Sequence, residues 1–137
     1  MYFIDANVFL ELLLDQEQAA ECEAFLQRVC RGSIEAATTD FIVDGIVLTM
    51  EKEGKNPAEL SLFLSSLLGC KSLRAYFLSM YDRIEATRHM QNYNLDFDDS
   101  TAYQAMRNMQ IDEIVSFDKD FDKIPDIKRL EPKDVPL

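Results

Sequence analysis

The segment YFIDANVFLE, residues 2–11, changes its hydrophobic pattern at a single acidic residue. Residues 2–4 are apolar and partly aromatic or β-branched, which is typical of a strand that enters a core. From Ala6 to Leu14 the apolar residues follow helical spacing instead. Asp5 therefore lies where a strand ends and a helix begins, and the segment predicts the start of an alternating α/β fold.

The rest of the chain continues this alternation. Helical patterns cover residues 17–31, 40–54, 57–69, 79–92 and 99–109, with Gly32 placed to end the first of them and Asp40 to cap the second. Strand patterns cover residues 34–38, 73–78 and 113–117, and a short edge strand is predicted at 128–130. We predict one domain, residues 1–137, with a three-layer α/β/α fold around a mainly parallel central sheet.

Four acidic residues occupy special places in this pattern: Asp5, Asp44, Asp99 and Asp118. Each lies at a strand exit or near a helix start. Parallel strands point their carboxyl ends to one edge of the sheet, so residues far apart in sequence can meet there. Carboxylates gathered at such an edge are suited to Mg²⁺ or Mn²⁺ and to phosphoryl chemistry.

Each acid also has an ordinary interpretation. Asp5 could cap the helix that follows it, and Asp44 could be a lone acid on a helix surface. Asp98 or Asp96 could cap the helix in which Asp99 points inward. The joint pattern of the four favours a site.

The acids after the last clear strand divide into two groups. We assign Asp118 to the site because it stands at the exit of the strand EIVSF. Asp120 and Asp122 are interpreted as a solvated acidic turn.

Composition excludes several classes of protein. Hydrophobic residues make up 47% of the 137 residues, which suits a globular core, and no apolar run approaches the roughly 20 residues of a membrane span. The N-terminus lacks the basic region of a signal peptide, so we expect a cytoplasmic protein without a membrane partner.

The net charge of −11 counts against broad binding of nucleic acid, although bound cations can reverse the field of an acidic site. Basic residues recur in the tail, interleaved with acids: Lys119, Lys123, Lys128, Arg129 and Lys133. We interpret them as a solvated surface of mixed charge, with a local basic strip for substrate as the alternative.

Cysteine and histidine offer no obvious chemistry. Cys22, Cys30 and Cys70 form no CxxC pair, and their odd number argues against a disulfide framework, so we predict three thiols. No P-loop, GxGxxG or HExxH motif is present. His89 is the only histidine, and its place within a helix favours a structural or exposed role.

Four blocks of the sequence resemble the PIN-domain ribonucleases, which include the toxins of VapBC-type toxin–antitoxin pairs. FIDANVFLE (3–11) looks like the opening motif of that family, and IVSFDKDF (114–121) is similar to the closing one. DFDDSTAYQA (96–105) and the weaker block TTDFIVDGI (38–46) match the two between. Two departures stand out, since the second acid is usually Glu and here is Asp44, and Ser100 follows Asp99 where Ala is usual.

The resemblance implies a Mg²⁺- or Mn²⁺-dependent endoribonuclease. Its metal ligands would be Asp5, Asp44, Asp99 and Asp118. Asp5 and Asp99 would hold the principal metal, Asp118 would complete or bridge the site, and Asp44 would act through water or orient the nucleophilic water. Asn7, Thr39 and Ser116 would contact these ligands and fix their orientation without binding the metal. The resemblance further implies an RNA substrate, an antitoxin protein as partner and a homodimer.

Two other functions fit parts of the sequence. A haloacid-dehalogenase-type phosphatase also places an Asp after its first strand, but it normally carries DxD, and Asn7 stands at that third position. A non-catalytic module of PIN type that binds RNA or protein is the other alternative, with Asp44 as the sign of an altered site.

Overall fold

The computed structural model describes every residue from Met1 to Leu137. Its sheet contains five strands, which are β1 (Tyr2–Ile4), β2 (Ala36–Thr39), β3 (Leu73–Tyr76), β4 (Glu113–Val115) and β5 (Lys128–Leu130). All neighbouring strands are parallel, in the order β3–β2–β1–β4–β5. The predicted α/β/α fold with a parallel sheet is confirmed.

Six helices connect and cover these strands. They are α1 (Ala6–Leu13), α2 (Ala19–Cys30), α3 (Asp40–Lys52), α4 (Pro57–Gly69), α5 (Met80–Tyr93) and α6 (Phe97–Met109). Two short 3₁₀ turns follow, at Lys119–Lys123 and Pro132–Asp134. No helix is long and apolar enough to cross a membrane.

The first strand lies at the centre of the sheet, which explains why its sequence is so apolar. Phe3 pairs with Ala37 of β2 on one side and with Ile114 of β4 on the other. Phe3 and Ile4 are fully buried. Because β1 and β4 are direct neighbours, the residues that leave them emerge side by side at one edge of the sheet.

Two helix starts differ from the prediction by one or two residues. Thr39 rather than Asp40 caps α3, because its hydroxyl accepts a hydrogen bond from the Ile42 amide at 3.0 Å. The Asp40 carboxylate instead accepts from the Leu78 amide at 3.0 Å. Helix α6 begins earlier than predicted because Asp96 is its cap, accepting from the Asp99 amide at 2.9 Å.

The prediction of three free thiols is wrong. The C-terminal ends of α2 and α4 meet, which brings the Cα atoms of Cys30 and Cys70 to 4.2 Å, and the two sulfurs form a disulfide. Only Cys22 is free, and it is buried. Counting cysteines could not reveal this pair, since the contact depends on how two helices pack.

The disulfide predicts a measurable difference between oxidised and reduced protein. In chain purified without reductant and then unfolded, an alkylating reagent should modify Cys22 alone, whereas reduction should make all three cysteines reactive. Reduction should also lower the free energy of unfolding by about 2–4 kcal/mol, because the bridge closes a loop between residues 40 positions apart. Mass spectrometry and thermal unfolding measure the two effects. Three modified cysteines without reductant would contradict the bridge.

The only histidine is part of the packing between α5 and α6. His89 is buried, its Nε2 lies 2.8 Å from Oε1 of Gln104, and its ring packs edge-on against Tyr103 with centroids 4.7 Å apart. These contacts agree with the structural role that the sequence favours.

Candidate metal centre

The carboxyl edge of the sheet carries an acidic cleft of about 340 Å³. The cleft lies where β1 and β4 end and where α6 begins. No lysine, arginine or histidine lines it, and five acids do: Asp5, Asp96, Asp98, Asp99 and Asp118. Three of the four acids predicted to meet therefore share this cleft. Because no basic side chain in the lining balances these acids, the cleft suits a cationic ligand.

Asp5 is held by three hydrogen bonds, so it both caps α1 and faces the cleft. Its Oδ1 accepts from the Ala6 amide at 2.8 Å. Its Oδ2 accepts from Ser116 Oγ at 2.6 Å and from Asn7 Nδ2 at 3.2 Å. Burial raises the pKa of Asp5, the bonds from Ser116 and Ala6 oppose that rise, and the charge of Asp118 adds to it.

Asn7 and Ser116, which the sequence predicts as supporting residues, both hydrogen-bond to Asp5. Besides its bond to Asp5, Asn7 Nδ2 donates to Ser116 Oγ at 3.2 Å, and Asn7 Oδ1 accepts from the Phe117 amide at 3.3 Å. Ser116 Oγ also accepts from the Asp118 amide at 3.0 Å. These bonds tie the ends of β1 and β4 together. Thr39, predicted for the same role, caps α3 through its hydroxyl.

Asp99 is the most unusual of these acids. Only 5% of its surface is exposed, and its Oδ2 is buried without any hydrogen-bond partner. One carboxylate oxygen each from Asp99, Asp118 and Asp120 lie within 4.8 Å of one another. Burial, followed by the charges of Asp118, Asp96 and Asp5, raises the pKa of Asp99 to about 8. A buried carboxylate surrounded by other acids is costly, whereas a cation would satisfy it.

The residues present fit a Mg²⁺ or Mn²⁺ ion. Both cations prefer carboxylate oxygens, and Mg²⁺ commonly uses one or two carboxylates with water completing its coordination. Asp99 offers an unpartnered oxygen, and Asp118 and Asp120 place further oxygens near it. Neither cysteine nor histidine lines the cleft, so the donor set is unlike that of a zinc site.

The structure does not bring Asp44 into this cleft. Asp44 is exposed and lines a separate groove on the other side of α3, together with Val43 and Val47. The residues of α3 that do face the acidic cleft include Gly45 and Thr49, four positions apart. Adjacent residues of a helix point about 100° apart. A residue one position away from one that faces the cleft therefore points out of the site. The prediction that Asp44 joins the other three acids does not agree with its place.

This placement makes Asp44 a direct test of the site. We expect Asp44→Asn to bind Mn²⁺ with an affinity within about twofold of wild type and to unfold within about 0.5 kcal/mol of it, as for other exposed positions. Titration with Mn²⁺ and thermal unfolding measure both quantities. If Asp44→Asn lost Mn²⁺ affinity more than tenfold, Asp44 would belong to the site after all.

Sequence reasoning missed Asp120 as a neighbour of the site. The interpretation of a solvated turn is partly right, because Asp120 is half exposed and pairs with Lys123 at 3.2 Å. Yet the 3₁₀ turn after β4 directs a carboxylate oxygen of Asp120 toward Asp99 and Asp118. The spacing of two acids around Lys119 was the available signal. It is ambiguous because exposed acidic turns have the same composition.

Three of the five basic residues of the tail are paired with acids, whereas Lys119 and Lys128 are exposed and form no ion pair. Arg129 pairs with Asp122 at 3.0 Å and Lys123 pairs with Asp120. Lys133 lies 3.9 Å from Glu131. These ion pairs support the interpretation of a surface of mixed charge.

Comparisons with known proteins identify a family model and solved structures that are similar to this chain. A family model described as the PIN domain matches residues 2–127. Two solved structures share the fold at 14% identity: VapC20 of Mycobacterium tuberculosis, described as a toxin that cleaves the sarcin–ricin loop, and a toxin–antitoxin complex from Klebsiella pneumoniae. The first has a TM-score of 0.75 and covers 93% of this chain and 97% of its own. The second has a TM-score of 0.72 and covers 96% and 98%.

Among curated proteins, none matches this chain. At 14% identity the two structures establish a shared fold and nothing finer. The family model, however, extends over nearly the whole chain, from β1 to the residue before β5. The chain therefore belongs to the PIN domain family.

Proposed function

We propose that this chain is an endoribonuclease that hydrolyses RNA phosphodiester bonds with the help of bound Mg²⁺ or Mn²⁺. The observation that carries the proposal is the buried, unpartnered Oδ2 of Asp99 in a cleft lined by acids and by no basic side chain. RNA as substrate is supported by the resemblance to PIN-domain ribonucleases and by the similar fold of VapC20, a toxin named for cleaving the sarcin–ricin loop.

Asp99 and Asp118 are the residues proposed to hold the cation, with Asp5 completing the site. A divalent ion in such a site neutralises phosphate charge and lowers the pKa of bound water, so no protein nucleophile is required. Two hydrogen bonds hold Asp118 in place for this role. Its Oδ1 accepts from the Asp120 amide at 2.9 Å, and its own amide donates to Ser116 Oγ at 3.0 Å.

Asn7 and Ser116 are positioning residues in this proposal. Both donate to the same oxygen of Asp5, which holds the carboxylate in one orientation while the Ala6 amide holds the other oxygen. Groups that only orient metal ligands commonly contribute 10–100-fold to affinity or activity. The exposed acids Asp96 and Asp98 at the rim would repel phosphate until cations bind.

We further propose that the partner of this chain is an inhibitory antitoxin protein. The Klebsiella pneumoniae structure of similar fold is a toxin–antitoxin complex. A groove beside α4 also exposes large apolar side chains, with Leu68 88% and Phe77 76% exposed, which suits contact with protein. The homodimer stays a prediction that rests on the resemblance.

A non-catalytic module of the same fold is the second candidate. One observation favours it: helix α3 places no carboxylate in the acidic cleft, since Gly45 faces the cleft and Asp44 faces away. A site with fewer ligands on one wall could have lost its chemistry while keeping its fold. The buried Asp99 favours the enzyme instead, because a costly carboxylate has no structural use.

Cleavage of RNA decides between these candidates. A mixed pool of structured and single-stranded RNAs is incubated with wild type, Asp99→Asn and the matched control Asp112→Asn, each in Mn²⁺, Mg²⁺ or EDTA. Asp112 is exposed and lies outside the cleft. The proposal predicts cleavage by wild type and the control only when a metal is present. A wild type that neither cuts this pool nor binds Mn²⁺ would support the non-catalytic module.

A further inference from the structure

One wall of the acidic cleft lacks any charged group. Helix α3 forms this wall through Phe41, Gly45 and Thr49, which lie four residues apart and therefore on one helix face. Thr49 is the only one with a polar side chain, and its hydroxyl donates to the Gly45 carbonyl at 2.9 Å. The wall therefore presents no carboxylate toward the centre of the cleft.

Gly45 at the middle of this wall is not required by the backbone. Gly32 and Gly54, which follow helices, have φ angles of +83° and +89° that favour glycine. Gly45 lies inside α3 without such an angle, and a glycine there costs about 0.5–1 kcal/mol relative to alanine. A Cβ built at this position meets no atom within 4 Å. Position 45 is therefore open space that a side chain could enter.

The cluster of carboxylates close enough to share an ion has no member on α3. Oxygens of Asp99, Asp118 and Asp120 cluster within 4.8 Å, and the buried Asp99 Oδ2 is the carboxylate oxygen there that lacks a partner. A site for two cations needs carboxylates that reach both ions, which are separated by about 3.5–4 Å. Asp5, Asp96 and Asp98 also line the cleft but lie outside this cluster, and α3 adds no carboxylate, so the cluster provides for one ion.

We propose that Gly45 limits this cleft to a single divalent cation, held at the Asp99–Asp118 side, and that a carboxylate placed at position 45 creates a second cation position. The inference rests on the cation site of the proposed function. It adds the number of ions that this site binds and names Gly45 as the residue that determines the number. It also explains why Asp44 cannot substitute, since its side chain enters the groove on the opposite side of α3.

The number of bound ions tests this inference without any measurement of cleavage. Mn²⁺ is titrated into the full-length protein, and the free ion is followed by electron paramagnetic resonance. Wild type should bind one ion per chain and Gly45→Glu should bind two. Gly45→Gln has the same size without the charge and should bind one. Leu48→Glu adds a carboxylate on the solvent side of α3, where Leu48 is 63% exposed, and should also bind one.

Each other result overturns the inference in a distinguishable way. Two ions bound by wild type would refute the limit set by Gly45 while leaving the proposed function intact. One ion bound by both wild type and a folded Gly45→Glu, with unchanged affinity, would refute the second position. No ion bound by wild type would refute both the inference and the metal-dependent function. Circular dichroism of each variant establishes that it is folded.

Discussion

Asp99→Asn should lose Mn²⁺ binding and RNA cleavage while making the metal-free protein more stable. Asparagine keeps the shape of the side chain but removes the negative charge that burial and the charges of Asp118, Asp96 and Asp5 oppose. Groups that merely orient metal ligands contribute 10–100-fold, so loss of a ligand should lower affinity and cleavage by more than about 100-fold. Asparagine also avoids the cost of keeping Asp99 protonated in the folded chain at neutral pH, so the free energy of unfolding at pH 7 should rise by about 1–3 kcal/mol.

The opposite signs of these two effects separate a functional acid from a structural one. Mn²⁺ titration, cleavage of labelled RNA and thermal unfolding in EDTA are measured on the same preparations. Asp112→Asn is the matched control and should leave all three near wild type. A destabilised metal-free Asp99→Asn would show that the carboxylate stabilises the fold, and unchanged Mn²⁺ affinity would remove Asp99 from the site.

Metal-free wild type should become less stable as the pH rises from about 5 to 8. The pKa of Asp99 is about 8 in the folded chain, and an unfolded Asp has a pKa of about 3.9. Between these values the folded state holds a proton that the unfolded state has released, so the free energy of unfolding falls with increasing pH. The raised pKa of Asp5 acts in the same direction.

Bound Mn²⁺ should flatten or reverse this pH dependence. A metal ligand must be deprotonated, so the cation competes with the proton and binds more tightly at higher pH. Unfolding temperatures are measured at pH 5, 6, 7 and 8, with EDTA or with about 1 mM Mn²⁺. Asp99→Asn lacks the titrating carboxyl and should show a much shallower slope in EDTA. A metal-free wild type whose stability rises from pH 5 to 8 would contradict the assignment.

The ionisation of Asp82 stabilises the fold, which is the opposite of Asp99, and it does so in a different range of pH. Burial opposes its ionisation, but hydrogen bonds from the Ser79 amide, Tyr76 and Asn108 outweigh that effect and lower its pKa. Its stabilisation is therefore present above about pH 4 and disappears only as the pH falls below that value. The decline predicted between pH 5 and 8 consequently does not involve Asp82.

The strand exits were the part of the site that the sequence predicted best. Asp5 and Asp118 each follow a short apolar strand, and parallel strands must end at a common edge. The strand order was not predictable, yet it determines that β1 and β4 are neighbours and that Ser116 can reach Asp5. Asp99 was predictable because it shares a helix face with the apolar residues Ala102 and Met106.

The residue of helix α3 that faces the cleft was harder to predict, for a geometric reason. The apolar residues of α3 occupy two faces, one toward the acidic cleft and one toward the groove beside α4. Periodicity therefore could not tell which face Asp44 shares, and an acid was a more obvious candidate than the glycine beside it. The Cys30–Cys70 contact was unpredictable in the same sense, because it depends on the packing of two helix ends.

The position of Mn²⁺ in crystals of the wild-type protein, located by anomalous scattering, tests the proposed metal site without any assay of cleavage. One ion should lie in the acidic cleft, in contact with Asp99 and Asp118 and near Asp5, and none should lie at Asp44. An ion bound by Asp44 on the far side of α3, or a cleft without any ion at saturating Mn²⁺, would contradict the proposed metal site.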